Sequence, residues 1–323
     1  MFLDSNPSSE QFKSKGEKKF IKLLEGLNSD RKKDRKLIRE HILKGKIPPK
    51  SRKMFWQIAL GTQGKMECKC TVNYQELLRA PVPYAHIVQL HQDLDRTLRP
   101  HINYVDRYGE GQRKLFRIMR AYCAYSPSLG YGQGMCTLGA ILLNVIEDEL
   151  ETFYALVSLF ENYTFGELYG LTGGSMSGLL NAFDIFGKLL SNFFPKIKQG
   201  LDETPIPPDF YLTQWFLELF YGRIPFWLCI RLWDLFLLDG YSAVFSFTLS
   251  LFAANEDHLT DLNSLEKFNP FKESPCEGID IDKVLLWTTT KFKLTPNKIE
   301  TLTTLTIQNH MSNVKSWSDN FFL

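Results

Sequence analysis

Apolar residues along this chain recur at intervals of three and four and do not alternate over any long run, the pattern of helices with one buried face. Phe20, Leu23, Leu24 and Leu27 make a first short stripe, and a basic helix over about residues 30–44 stops at Gly45. Ile47-Pro48-Pro49 then leads into a helix over residues 52–60, and a loop is expected over about 62–72. Pro81 and Pro83 open a helix over residues 84–98, whose stripe is Ile87, Leu90, Leu94 and Leu98. Leu115, Ile118, Met119 and Tyr122 share a side of the next helix, and helical patterns follow at 137–146 and 150–162. A glycine- and serine-rich stretch at 170–178 suggests a break between subdomains. Beyond it come helices at 179–190, 210–221, 226–238, 244–254, 281–291 and 298–307, with a coil at 267–278. The fold class is all-α, with about a dozen or more helices and no fixed-period repeat.

Composition sets limits without naming a function. At 323 residues, 44% hydrophobic and 14% aromatic, the chain can bury a large core. The net charge of +2 hides an asymmetry, because residues 1–50 carry 14 Lys and Arg against 7 Asp and Glu. That basic segment is expected to be separable from the domain that follows, partly disordered and then helical. It suits either a solvated helix or a patch for an anionic membrane or acidic partner. No signal-peptide pattern is present, and the longest apolar runs, such as 135–146, are too short to cross a bilayer. Six cysteines at 68, 70, 123, 136, 229 and 276 fit reduced thiols in helical patterns better than a disulfide framework. Neither they nor the histidines have metal-ligand spacing, so no metal is expected.

Two segments carry candidate chemistry. At ~100° per residue, Arg96 falls about 180° from Ile87 and Asp93 about 60° from Arg96, so both leave the apolar stripe on the polar face. Any amphipathic helix places charge there, so this alone does not mark a site. The second segment, Leu129 to Met135, alternates glycines at 130, 132 and 134 with larger residues. Such a turn can approach another surface closely, and it can equally be an ordinary connection between helices. It is not a nucleotide cradle: the third position of G-x-G-x-x-G is Met135, no P-loop lysine follows, and the preceding segment reads as helix.

Taken together, these segments resemble the TBC domain, the domain of Rab GTPase-activating proteins. Leu90-x-x-Asp93-x-x-Arg96 matches its I-x-x-D-x-x-R motif with leucine for isoleucine, and Tyr131-x-Gln133 matches Y-x-Q. The resemblance extends to Arg52-x3-Trp56-x3-Leu60-Gly61 upstream. Downstream it takes in Trp215-Phe216-Leu217, Ile230-Arg231-Leu232-Trp233-Asp234 and Gly240. It implies two stacked helical subdomains, about residues 46–165 and 166–310, between the basic segment 1–45 and a tail at 311–323.

The resemblance also implies a partner and a mechanism: a GTP-bound Rab-family GTPase that holds the GTP and Mg²⁺ itself, so that this chain needs no cofactor. Arg96 would meet the transition-state charge, a role worth ~10³–10⁵ in rate, while Gln133 would hold the attacking water. Asp93 would orient Arg96 or tie down its helix, and Tyr131 would pack or hydrogen-bond near Gln133. Trp56, Trp215 and Trp233 would be core aromatics, and Arg52, Arg231 and Asp234 buried or half-buried polar partners. The expected setting is the cytoplasm in membrane traffic, with contact to endomembranes through residues 1–50 and none to nucleic acid. A GTPase-binding adaptor with the same fold and no catalytic effect is the alternative.

Overall fold

The protein is described by a computed structural model covering residues 15–27, 32–67, 73–163, 165–170, 176–203, 207–259 and 278–304. All its regular elements are helices. In chain order they are α1 (Lys15–Leu27), α2 (Lys32–Leu43), α3 (Pro49–Leu60), α4 (Thr62–Glu67), α5 (Tyr74–Leu77) and α6 (Tyr84–Leu94). Then come α7 (Glu110–Tyr125), α8 (Met135–Ile146), α9 (Glu149–Asn162), α10 (Phe165–Leu168), α11 (Ser177–Phe193) and α12 (Pro195–Glu203). The series closes with α13 (Pro208–Leu217), α14 (Phe226–Asp239), α15 (Tyr241–Ala254), α16 (Glu256–Leu259), α17 (Ile281–Thr289) and α18 (Pro296–Thr304).

Local chemistry sets many of the boundaries. Pro49 starts α3 at a position where its missing N–H costs nothing, and Gly61 stops it in the left-handed conformation at φ +64°. Asp148 caps α9 by accepting the Glu151 N–H. The stretch expected to be a loop from residue 62 differs: Thr62–Glu67 forms the short helix α4, and Thr62 is buried. Its hydroxyl bonds back to the Gln57 carbonyl, which continues the helical path past Gly61.

The core is continuous. Every residue of α8 from Met135 to Leu143 is buried, as is every residue of α15 from Tyr241 to Phe252. Trp56, Trp215 and Trp233 are all essentially inaccessible to solvent. Trp56 and Trp233 stack with ring centroids 5.3 Å apart, joining α3 to α14. Beneath them the carboxylate of Asp234, fully buried, accepts from Trp56 Nε1 at 2.7 Å and from Arg52 Nε at 3.2 Å. Burial pushes Asp234 up to about 6, and the Arg52 charge and the indole hydrogen bond pull against that shift.

The N-terminal helices α1 and α2 contribute residues to this core. Phe20, Leu24, Ile38 and Ile42 are buried, and α1 and α2 pack on α3 and α14. Two arginines of α2 face the body of the protein. Arg35 donates to the Leu238 carbonyl at the end of α14, and Arg39 grips Asp239 with Nε at 2.9 Å and a second nitrogen at 2.5 Å. Arg231 reciprocates from α14, donating to the carbonyls of Ile42 and Leu43 at the end of α2. Helix ends are satisfied on both sides of this contact. The coil expected at 267–278, apart from its last residue, the C-terminal tail and cysteines 68, 70 and 276 lie outside the described residues. Cys123, Cys136 and Cys229 are free and buried.

The two stacked tryptophans should respond differently to the same change. Trp56→Phe removes a donor to a buried carboxylate, whereas the buried Nε1 of Trp233 meets no acceptor among the described residues. Denaturant unfolding should find Trp56→Phe the more destabilising by about 1.5–3 kcal/mol, the value of a hydrogen bond to a charged group. Equal losses would show that the indole of Trp56 does not support Asp234.

Candidate functional site

The first half of the site is the end of α6, which stops at Leu94 rather than running on to residue 98. Continued helix would bring Pro100 against the carbonyl of Arg96, and proline has no N–H to offer it. The chain instead tightens, with the N–H of Arg96 on the Asp93 carbonyl at 3.1 Å and that of Thr97 on Leu94 at 3.3 Å. The Thr97 hydroxyl adds a bond to the Asp93 carbonyl at 2.7 Å. Arg96 therefore leaves the helix on a turn, and its side chain is 62% exposed.

Asp93 does not share that exposure. The helical wheel sets it on the polar face, but the turn that precedes α8 covers that side, and the residue is only 4% exposed. Its Oδ1 accepts from Arg96 at 3.0 Å from Nε and 2.5 Å from the terminal nitrogen. Its Oδ2 accepts from the Tyr131 hydroxyl at 2.6 Å. One carboxylate thus holds both candidate segments.

The second half is the turn from residue 126 to 134. Gly130 has φ +64°, and a Cβ there would sit 2.4 Å from His86 Nε2. Glycine is what lets the turn lie down on α6. There the N–H of Tyr131 reaches His86 Nδ1 at 3.3 Å. Burial drives the Tyr131 phenol far above its ordinary value, with the hydrogen bond to Asp93 adding to the shift, so it acts as a donor throughout the accessible pH range. Gln133 follows, exposed on the surface. Gly134, at φ +94°, then starts α8.

Arg96 and Gln133 line one cleft of about 640 Å³. Its far wall belongs to the C-terminal half: Tyr169, Gln214, Leu217 and Glu218. Tyr169 is held by its hydroxyl on the Leu217 carbonyl at 3.4 Å. Burial raises Glu218 to about 7, against the pull of hydrogen bonds from Gln214 and Thr137 and the charge of Arg96. Leu217 of this wall belongs to the Trp215-Phe216-Leu217 motif, while Glu218 shows in the sequence only as an acidic residue among the apolar neighbours Trp215 to Phe220.

Of the residues singled out in the sequence, Arg96, Gln133, Asp93 and Tyr131 come together here. The buried Trp56, Trp233 and Asp234 and the half-buried Arg52 and Arg231 lie apart from this site, between α3, α2 and α14. Trp215 lies in the core of α13, stacked on Phe220 at 4.8 Å, one turn before Glu218. No group of three or more His, Cys, Asp or Glu among the described residues could hold a metal ion. No helix among them is long and apolar enough to cross a membrane.

These features define a helical domain with a guanidinium and a carboxamide lining one cleft. The chain belongs to the Rab-GTPase-TBC domain family, whose sequence profile matches residues 49–260. It is 32% identical to mouse (Mus musculus) Carabin over 64% of its own length and 45% of that protein. To mouse TBC1 domain family member 10A it is 30% identical over 73% of its own length and 46% of that protein. The chain therefore spans less than half of these curated relatives. The fold matches the crystal structure of the Chlamydomonas flagellar RabGAP TBC domain with a TM-score of 0.65 at 19% identity, covering 86% of this chain and 92% of that one. It also matches the Ypt/Rab-GAP domain of Gyp1p with a TM-score of 0.62 at 17% identity, covering 89% of this chain and 99% of that one.

Tyr131→Phe should cost about 1.5–3 kcal/mol in unfolding free energy, because the hydrogen bond it removes ends on a buried carboxylate. In a double-mutant cycle with Asp93→Asn the two losses should be coupled by at least ~0.5 kcal/mol. Additive losses would mean that the Tyr131 hydroxyl does not tie the turn to α6.

Proposed function

We propose that this chain accelerates GTP hydrolysis on a GTP-bound Rab-type small GTPase, in the service of vesicle and membrane traffic. The observation that carries the reading is the joint tether: Arg96 and Gln133 both face the cleft, and Asp93 and Tyr131 fix the segments that bear them. Membership of the family supports it.

In this reading the GTPase docks over the cleft with its nucleotide and Mg²⁺. As the phosphoryl group passes to water, negative charge spreads over its oxygens, and the Arg96 guanidinium meets that charge with planar, permanently ionised donors. Asp93 holds Arg96 through Oδ1 and leaves most of the guanidinium exposed, so the arm is oriented before the partner arrives. Gln133 offers both a carbonyl acceptor and an amide donor, which suits it to hold the attacking water in line. The chain forms no covalent bond and needs no cofactor of its own. Positioning and electrostatics do the work, and both groups act only when the partner is seated.

The test is hydrolysis by a panel of purified Rab GTPases with and without this protein. For a responsive GTPase, Arg96→Ala should lose ~10³-fold or more of the acceleration, and Arg96→Lys should recover little of it. Gln133→Ala should also be impaired, and the double variant should lose less than the product of the single losses, as for groups acting as a unit. If Arg96→Ala keeps more than about a tenth of the activity, against that expected loss, the assignment fails. Binding of a GTPase without acceleration by the unmodified chain would make it an adaptor instead.

A further inference from the structure

The cleft contains one carboxyl side chain that the proposed reaction does not use. Glu218 lies at the C-terminal end of α13, in the half of the molecule opposite Arg96 and Gln133. Its carboxylate reaches across to the start of α8. A Cβ added to Gly134 would lie 3.2 Å from Glu218 Oε1 and 3.4 Å from its Cγ. Gly134 immediately follows Gln133, and as the N-cap of α8 it provides no side-chain acceptor for the first turn. The N–H groups of Met135 and Thr137 are taken by the carbonyls of Gly132 and Gly134, and the positive end of the helix favours a carboxylate beside it. Thr137, in the same turn, and Gln214 of α13 lie beside the Glu218 carboxylate and favour its charged form.

The backbone that follows is itself unusual. Leu219 and Phe220 take φ values of +47° and +64°, a region that side-chain-bearing residues rarely occupy. Both are fully buried. The fold accepts this strain directly after Glu218, and strained backbone of this kind clusters at active sites and ligand clamps.

We propose that Glu218 is a positioning residue for Gln133, its carboxylate gripping the first turn of α8 from the opposite wall and so fixing the turn that presents the glutamine. The inference rests on the reading of Gln133 as the group that orients water. Glu218 does not touch the nucleotide. It acts through Gly134 and Thr137.

The gripping form is the ionised one, because a carboxylate offers two acceptors and a charge to the helix end, and a carboxylic acid gives up both advantages. The charged and titratable groups that face it are Asp93 and Arg96 from the end of α6, Tyr169 just after α10, Tyr221 and Arg223 beyond α13, and Cys229 from α14. Burial raises Tyr169, Tyr221 and Cys229, so these stay neutral near pH 7. Arg96 and Arg223 stay charged. Asp93 is occupied by Arg96 and Tyr131. Glu218, raised to about 7 chiefly by burial, therefore changes charge in the physiological range. Because the active form is the carboxylate, activation falls as pH drops through that value.

The experiment measures kcat and KM for activated hydrolysis on a responsive Rab GTPase between about pH 6 and pH 8.5, a span that brackets this titration. Each rate is taken relative to the GTPase's own rate at the same pH. Glu218→Ala should lower kcat by ~10- to 100-fold, as a displaced catalytic group does, with little change in KM. Glu218→Gln keeps the side chain's shape and one acceptor but cannot ionise, so its activation should lie between those of the wild type and the alanine variant. It should also lack the loss of activity toward acid pH that the wild type shows. Should Glu218→Ala fail to fold, as judged by its thermal melt, the glutamine variant decides the matter alone.

Three results would overturn the proposal: unchanged or increased kcat in Glu218→Ala, an effect confined to KM, or an acid limb that persists in Glu218→Gln. Gln133→Ala separates this inference from the reading beneath it. If Gln133→Ala is impaired and adding Glu218→Ala costs nothing more, Glu218 acts through the glutamine. If Gln133→Ala is impaired and Glu218→Ala is fully active, only the positioning role fails. If Gln133→Ala is itself fully active, the water-orienting reading fails and the positioning role with it.

Discussion

The site depends on a single buried carboxylate. Asp93 faces inward with one oxygen on the Arg96 guanidinium and the other on the Tyr131 hydroxyl. An exposed ion pair would contribute little and would let the arginine wander. Here the acid is buried while the guanidinium remains largely in solvent, so the anchor is fixed and the working end is free. Removing either partner would leave a buried charge short of a hydrogen bond, which costs more than the bond gains when present. The same constraint sets the distance between Arg96 and Gln133, because Tyr131 lies only two residues before the glutamine.

A second buried carboxylate plays a structural part on the same principle. Asp234 accepts from Trp56 and Arg52 of α3, and the stacked indoles of Trp56 and Trp233 close over it. This joins the early helices to the later ones at the centre of the molecule. The N-terminal helices complete the arrangement from outside, with Arg39 on Asp239 and Arg231 on the carbonyls that end α2. Part of the basic charge near the N-terminus is therefore committed to holding the fold together, and is not available to a membrane or an acidic partner.

Helix periodicity made most of the architecture legible, because long amphipathic segments with proline and glycine at their ends leave few alternatives. Arg96 and Gln133 were legible as a pair through their motifs. Three features were not. The burial of Asp93 depends on Tyr131, 38 positions away, and a helical wheel drawn for α6 alone cannot register a covering turn. The docking of α2 depends on backbone carbonyls at the end of α14, which carry no sequence signal. Glu218 was hidden for a related reason: its neighbours are Gly134 and Thr137 at the start of α8, and only the packing of the two halves brings them together. The shortening of α6 could have been read, since Pro100 sits where a continued helix would need an N–H.

The central claim is that the chain supplies the water-orienting carboxamide as well as the arginine. The most direct measurement takes a Rab GTPase that responds to this protein, replaces the GTPase's own switch glutamine with alanine or leucine, and follows single-turnover hydrolysis with wild-type protein added. Hydrolysis that remains strongly accelerated, and is then lost with the Gln133→Ala form, is the result this account predicts. A GTPase rendered inert by losing its own glutamine, while Gln133→Ala still activates the unmodified GTPase at near the wild-type rate, would contradict it.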